Sequence, residues 1–138
     1  VKNYSIRFLA DRNVKVEADR SMILQVIYNL VSNAVNYSGD DKFIGVEQSV
    51  FATEKDLKFV RISVTDHGEG IKKEDLALIW DRYYKVDTLH RRSVTGSGLG
   101  LSIVGRLLQL HSASYGVESA EGKGSCFWFE LSIVNDLK

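Results

Sequence analysis

The stretch "QVIYNLVSNAVNYS", Gln25–Ser38, carries one Gln and three Asn on an otherwise apolar run, with no charge at all. From Ser21 to Gly39 there is no Asp, Glu, Lys or Arg, in a chain where 26% of residues are charged. A solvated helix face would use Lys and Glu, so this helix is expected to be buried on most sides. At 100° per residue, with Gln25 at 0°, Asn36 falls at about 20°, Asn29 at about 40° and Asn33 at about 80°. The amides share one narrow arc, while Ile23, Val26, Ile27, Leu30, Val31, Ala34, Val35 and Tyr37 fill much of the rest. Asn competes with its own backbone for hydrogen bonds, so three in a helix interior carry a propensity cost that something should offset. A neutral amide oxygen can ligate Mg²⁺ beside phosphate oxygens and waters, and its NH₂ can donate to those phosphates. Carboxylates would bring the metal but repel the phosphates. Taken alone, the stripe also fits a buried amide network tying helix to sheet.

Outward from this helix, Asp19 reads as its cap and Ser38-Gly39-Asp40-Asp41 as its end. Upstream, "YSIRFLA" and "VKVEAD" read as two strands joined by a turn at 11–13, with Val14, Val16 and Ala18 on one face. Downstream, "FIGVEQSVFAT" and "LKFVRISVTD" flank Glu54-Lys55-Asp56 as a hairpin. "KKEDLALIWDRYY" has the spacing of a short amphipathic helix, and "GSGLGLSIVGRLLQLHSA" starts another at a glycine cluster. "YGVESA", the turn "EGKG" and "CFWFELSI" close the chain as a hairpin, with Phe127, Phe129, Leu131 and Ile133 on one face. Interleaved helices and tight hairpins predict a two-layer α/β sandwich: a mixed, mostly antiparallel sheet covered on one face by about three helices. The 138 residues suit a single domain, 1–138.

The formal charge is zero, 18 basic residues against 18 acidic, so no global footprint for nucleic acid or an anionic membrane exists. The Ser21–Gly39 run is too polar to cross lipid, and no signal peptide opens the chain, so direct membrane contact is not expected. The single Cys126 excludes an internal disulfide and reads as an inert strand thiol in a reducing compartment. The opening "VKNYSIRF" has no initiator Met and already reads as strand, which suggests a piece of a longer protein.

In "VRISVTDHGEGI", Val60, Ile62, Val64 and Asp66 share one side of a strand, so a carboxylate continues an apolar row. Such a group needs a donor. The exocyclic amino group of adenine is one, whereas guanine presents an acceptor there. Gly68 and Gly70 follow at once and let the backbone turn sharply toward a flat ring; a turn-capping Asx motif is the simpler alternative. His67 reads as a bystander. Further on, Gly96, Gly98 and Gly100 sit where a loop becomes a helix, a natural anion site, although no G-K-[ST] makes it a P-loop. The preceding "KVDTLHRRSVT" carries Lys85, His90, Arg91 and Arg92 and reads as a glycine-hinged basic lid, about 85–97, over phosphates.

In this order the pieces resemble the ATP-binding catalytic domain of bacterial sensor histidine kinases, in the superfamily of gyrase, heat-shock chaperone and MutL ATPases. "QVIYNLVSNAVNYS" is similar to its N box, "DHGEGI" to the first glycine box, "IWDRYYKVD" to the F box and "TGSGLGLSIV" to the second glycine box. The resemblance covers about Ser5 to Ile133 and implies a Bergerat-type fold and Mg·ATP as ligand. It implies that Asn29 and Asn33 hold Mg²⁺ and phosphates, that Tyr37 packs on adenine, that Asp66 binds its amino group, and that Lys85 touches the terminal phosphate. Asn29 and Lys85 would then serve catalysis. The pocket would also take in Asn36, Ile71, Tyr84, Arg91, Arg92 and Thr95, with Gly68, Gly70, Gly96, Ser97, Gly98, Leu99, Gly100 and Leu101 shaping it.

Two positions depart from the common pattern. Asn36 stands where relatives often have Lys or Arg, and Gln25 where ATP-hydrolysing members typically have a Glu to activate water, so slow hydrolysis is expected. The implied partners are an upstream dimerisation and histidine-phosphotransfer domain and a response regulator. The domain would be cytoplasmic, in a parent anchored in the bacterial cell membrane. None of His67, His90 and His111 lies in a dimerising-helix context, so the fragment should not phosphorylate itself. The other readings are a serine-directed kinase or ATPase of the same superfamily, and a degenerate nucleotide- or partner-binding module.

Overall fold

A computed structural model describes residues 4–10, 13–81 and 100–134. The elements run β1 (Ser5–Ala10), α1 (Arg20–Tyr37), β2 (Phe43–Ala52), β3 (Lys58–Asp66), a 3₁₀ turn (Lys73–Asp75), α2 (Gly100–Leu110), β4 (Ser114–Ser119) and β5 (Ser125–Ser132). They build one five-stranded sheet in the order β1-β2-β3-β5-β4. β1 and β2 are parallel, and the pairs β2–β3, β3–β5 and β4–β5 are antiparallel. The mixed, mostly antiparallel sandwich expected from the sequence is therefore present.

Two details of the expectation need correction. "VKVEAD" is not a hairpin partner of β1; Val16 makes only an isolated antiparallel bridge to Ile133, and Val134 N donates to the Lys15 carbonyl at 2.7 Å. β1 instead runs parallel to β2, which demands a long crossover, and α1 is that crossover. The alternation of Val14 and Val16 is satisfied all the same, because both pack half-buried on the core. The second correction concerns helix number, which among the described residues is two rather than about three. "KKEDLALIWD" folds as the 3₁₀ turn followed by further turns, with Leu78 N on the Asp75 carbonyl at 2.8 Å and Asp81 N on the Leu78 carbonyl at 3.0 Å. Its apolar spacing still works: Ile79 is buried, and Leu76 and Trp80 pack against the core. A segment this short recovers few backbone bonds for the cost of starting a helix.

α1 starts where expected. The Asp19 carboxylate accepts from Met22 N at 2.9 Å, and at the other end Ser38 Oγ donates to the Val35 carbonyl at 3.2 Å. Val26, Leu30 and Ala34 of α1 and Val104 and Leu108 of α2 bury against Ile44, Val60, Val64, Phe127, Phe129 and Leu131 of the sheet. The two helices are also pinned to each other. His111 Nδ1 faces the Leu107 carbonyl at 2.8 Å and so carries the proton, leaving Nε2 to accept from Asp19 N at 3.0 Å. On the opposite sheet face, Arg61 is ion-paired to Glu130 and lies over the Trp128 ring, 4.0 Å from its centroid.

The core implies a sharp contrast along one helix. Leu30→Ala should lower unfolding free energy by about 2–5 kcal/mol. Tyr28→Ala, at a side chain 68% exposed, should change it by about 0.5 kcal/mol or less. Urea denaturation of both variants checks this.

Candidate nucleotide site

The amide stripe faces the start of α2. Gln25 Nε2 donates to Asn29 Oδ1 at 2.7 Å, and Asn29 Nδ2 donates to the Gly100 carbonyl at 3.3 Å. The structure thus brings Gln25 and Asn29 together, as the 0–40° arc suggests, and adds Gly100 to them. Asn33 is half-buried, and its side chain takes no hydrogen-bond partner among the described residues. Asn36 and Tyr37 are half-buried in the last turn of α1, and Leu101 packs half-buried against the core. A Cβ on Gly100 would meet no described atom within 4 Å, so among the described residues packing supplies no reason for glycine there.

Asp66 ends β3 in the middle of the sheet, between Ile44 and Ser125, and is only 3% exposed. Its Oδ1 accepts from Gly68 N at 2.8 Å, so the Asx turn is present. That bond fixes the carboxyl group's orientation and does not compete with a ligand role, since a carboxylate has about four acceptor positions. Gly68 then lies directly on the end of α1: a Cβ there would stand 1.8 Å from the Tyr37 carbonyl oxygen. Gly70, at φ +79°, approaches the Ala120 carbonyl so closely that a Cβ would stand 1.9 Å from its oxygen. Both glycines serve backbone-on-backbone contact within the protein, beside any approach to a ring.

The turn is held from behind by residues that the motifs do not reveal. Ile71, buried, donates its N–H to Ser119 Oγ at 2.8 Å, while Ser119 Oγ donates to the Gly124 carbonyl at 2.8 Å. Its single proton being spent there, the 2.8 Å contact with Ser125 must run from the Ser125 hydroxyl. Gly122 N adds a bond to the Glu69 carbonyl at 2.6 Å. Ser119 ends β4 just before the "EGKG" turn and Gly124 is that turn's last residue, and only the turn signal could have pointed to them. His67, read as a bystander, is bonded through Nδ1 to Asp41 Oδ2 at 2.6 Å and stacked on Phe43. Tyr84, Lys85, Arg91, Arg92, Thr95, Gly96, Ser97, Gly98 and Leu99, with the 85–97 lid, lie outside the described residues.

The donor chemistry fits a phosphate-borne cation. Among the described residues no three His, Cys, Asp or Glu side chains gather to hold a metal. Neutral amides with one side unspent, as at Asn33, suit Mg²⁺ that arrives on phosphates and keeps its waters. Comparison with known proteins then decides the family, because residues 18–135 match the profile described as "Histidine kinase-, DNA gyrase B-, and HSP90-like ATPase". The chain belongs to this family.

Its relatives within the ATPase family include the sensor histidine kinase WalK of Bacillus subtilis (strain 168), 39% identical over 91% of this chain and 20% of WalK. The chain thus spans about a fifth of that relative's length. The solved structure of full-length ShkA in complex with AMPPNP is 29% identical, covering 98% of this chain and 27% of that one, with a TM-score of 0.74. The mycobacterial sensor histidine kinase MprB shares the fold at a TM-score of 0.79 and 23% identity, over 96% of this chain and 84% of that one. No helix among the described residues of this ATPase-family chain is long and apolar enough to cross a membrane.

Ser119→Ala should leave Ile71 N–H unsatisfied and cost about 1–3 kcal/mol. Hydrogen exchange at the Ile71 amide should quicken more than exchange at Val64 in the core. Equal exchange changes at both sites would show a global loss rather than a local one.

Proposed function

We propose that this chain binds Mg·ATP and donates the γ-phosphate to a histidine on a separate dimerisation domain of a sensor histidine kinase. The single observation that carries the reading is Asp66, a carboxylate 3% exposed at the floor of a glycine turn, whose several acceptor positions suit a donor such as the adenine amino group beside the Gly68 N–H. Family membership supports it, as do the relatives named as sensor histidine kinases.

Asn29 and Asn33 would hold the metal and phosphates, with Tyr37 against the base and Lys85, Arg91 and Arg92 toward the phosphate tail. When bound, Mg²⁺ would neutralise phosphate charge. Catalysis by this chain is then positioning and charge neutralisation, since it supplies neither the nucleophile nor a base. Gln25 bears on the second point. Its amide, held to Asn29 at 2.7 Å, cannot take a proton from water, so ATP is kept for the acceptor instead of being hydrolysed. The partners are accordingly an acceptor-bearing helical domain upstream and a response regulator downstream, with the domain on the cytoplasmic side of a membrane-anchored parent.

Asp66→Asn keeps an acceptor for Gly68 N–H while removing the charge. Calorimetric titration with ATP and GTP, with and without Mg²⁺, should show ATP selectivity in the native chain and a loss of about 10- to 150-fold in the variant, the equivalent of about 1.5–3 kcal/mol. Unchanged ATP binding by the variant overturns the assignment of Asp66. Phosphotransfer to an added dimerisation segment tests the second half: ATP binding with no labelled histidine removes the kinase reading.

A further inference from the structure

His67 lies one residue beyond Asp66, and its ring meets Asp41 and Phe43. The imidazole stacks on Phe43 with centroids 4.6 Å apart and planes 13° from parallel. Nδ1 meets Asp41 Oδ2 at 2.6 Å, and the other carboxylate oxygen, Oδ1, accepts from Phe43 N at 3.0 Å. The backbone on both sides is as tightly set: a Cβ on Gly39 would stand 2.1 Å from the His67 carbonyl oxygen, and Gly68 rests on the Tyr37 carbonyl. The loop that ends α1, residues 38–42, is thereby closed onto the loop that carries Asp66 and Gly68. One loop continues from Asn33, Asn36 and Tyr37 and the other from the Asp66 carboxylate, so this contact sets the distance between the two halves of the nucleotide site.

We infer that His67, with Asp41, is a positioning residue that holds the Asp66 turn against the end of α1 and makes nucleotide affinity respond to the protonation of its imidazole. The inference rests on the nucleotide-binding reading above and deepens it. The charged groups on the segments packed around His67 are Asp40, Asp41 and Lys42 after α1, Asp66 and Glu69 beside it, and Glu121 and Lys123 in the β4–β5 turn. Asp41 is the one that bonds the ring. Histidine changes charge between about pH 5 and 8, a range in which Asp41 stays ionised.

The sign follows from the pair. The His67 hydrogen bond, and after it the Phe43 N–H, hold the Asp41 carboxyl below its ordinary value of 3.8. Asp41 therefore contributes its stabilisation above that value and loses it only as pH falls through the lower folded value. Protonated, His67 adds charge attraction to the hydrogen bond; neutral, it keeps Nδ1–H on the carboxylate and nothing more. Both side chains are about half exposed, 50% and 52%, so the gain is that of a screened pair, about two- to fivefold in affinity.

The test compares ATP dissociation constants of the native chain, His67→Gln and Asp41→Asn at pH 6 and pH 8. His67→Gln carries the ATP molecule's own protonation and so serves as the baseline. The native chain should lose about two- to fivefold more affinity than either variant between pH 6 and pH 8. Coincident profiles for all three overturn the inference, as do variants that lose thermal stability but keep the native profile. Failure of the native chain to bind ATP at any pH sinks the nucleotide reading instead. The clamp is then decided without ligand, by whether the Gly68 amide resonance follows the His67 ring titration in the native chain and not in Asp41→Asn. A Gly68 resonance that ignores the titration overturns it.

Discussion

Gly68 rests on the end of α1 with no atom to spare, its missing Cβ taking the place that the Tyr37 carbonyl oxygen fills. Most of the site depends on that approach. It brings the only buried carboxylate among the described residues, Asp66, up against the helix that carries the amides. It also leaves the turn needing support from its far side, because a chain pressed against one neighbour is not held by it. The β4–β5 turn supplies that support through Ser119 and through the close contact of Gly70 with Ala120. Any side chain at position 68 would push the two halves apart by more than a rotamer change could absorb, since its obstacle is backbone.

The second constraint is electrical. A helix that lines a phosphate site cannot afford carboxylates, and one that lies on a sheet has no room for unpaired cations. On the proposed reading α1 would answer both because beyond Arg20 it carries no charge, and its amides trade some helix propensity for the ability to accept at oxygen and donate at nitrogen. In the described contacts these capacities are turned on each other: Gln25 donates to Asn29 and Asn29 donates to Gly100. The buried-network reading and the ligand-wall reading are thus not exclusive. The network fixes Asn29 in place, while Asn33, one turn on, is the amide left without a protein bond among the described residues.

Much of this was legible because apolar spacing dictates burial. Val26, Leu30 and Ala34 lie inside, Asp66 does end an apolar row, and both tight hairpins formed where their turn residues stand. What spacing cannot give is the strand partner. "VKVEAD" alternates as a strand should, but its valines reach the core with a single bridge, and β1 finds β2 across a helix because parallel pairing involves residues far apart in sequence. "KKEDLALIWD" failed as a helix for a related reason: its apolar residues meet the core from turns just as well. The Asp66 turn was visible as a motif, but its support was not, since Ser119 has no signal beyond lying before a turn. His67 reads as a bystander because nothing in the sequence brings Asp41, 26 positions away, to its ring.

The two helices add a final point about how the site is held. α1 advances ten residues from Asp19 to Asn29 and α2 eleven from Gly100 to His111, about 15 and 16.5 Å at 1.5 Å per residue. The matching lengths let α2 run antiparallel along α1 with a polar tie at each end, Asn29 to Gly100 and Asp19 to His111. Both ties are geometrically demanding: one needs the Asn29 amide turned toward α2, the other needs His111 neutral at Nε2. Because the first residue of α2 is bound by an amide of the stripe, Gly100 is tied to Asn29, and through Asn29 to Gln25. The second tie, at the far end, fixes the other end of the pair, so α1 and α2 are held to each other at both ends.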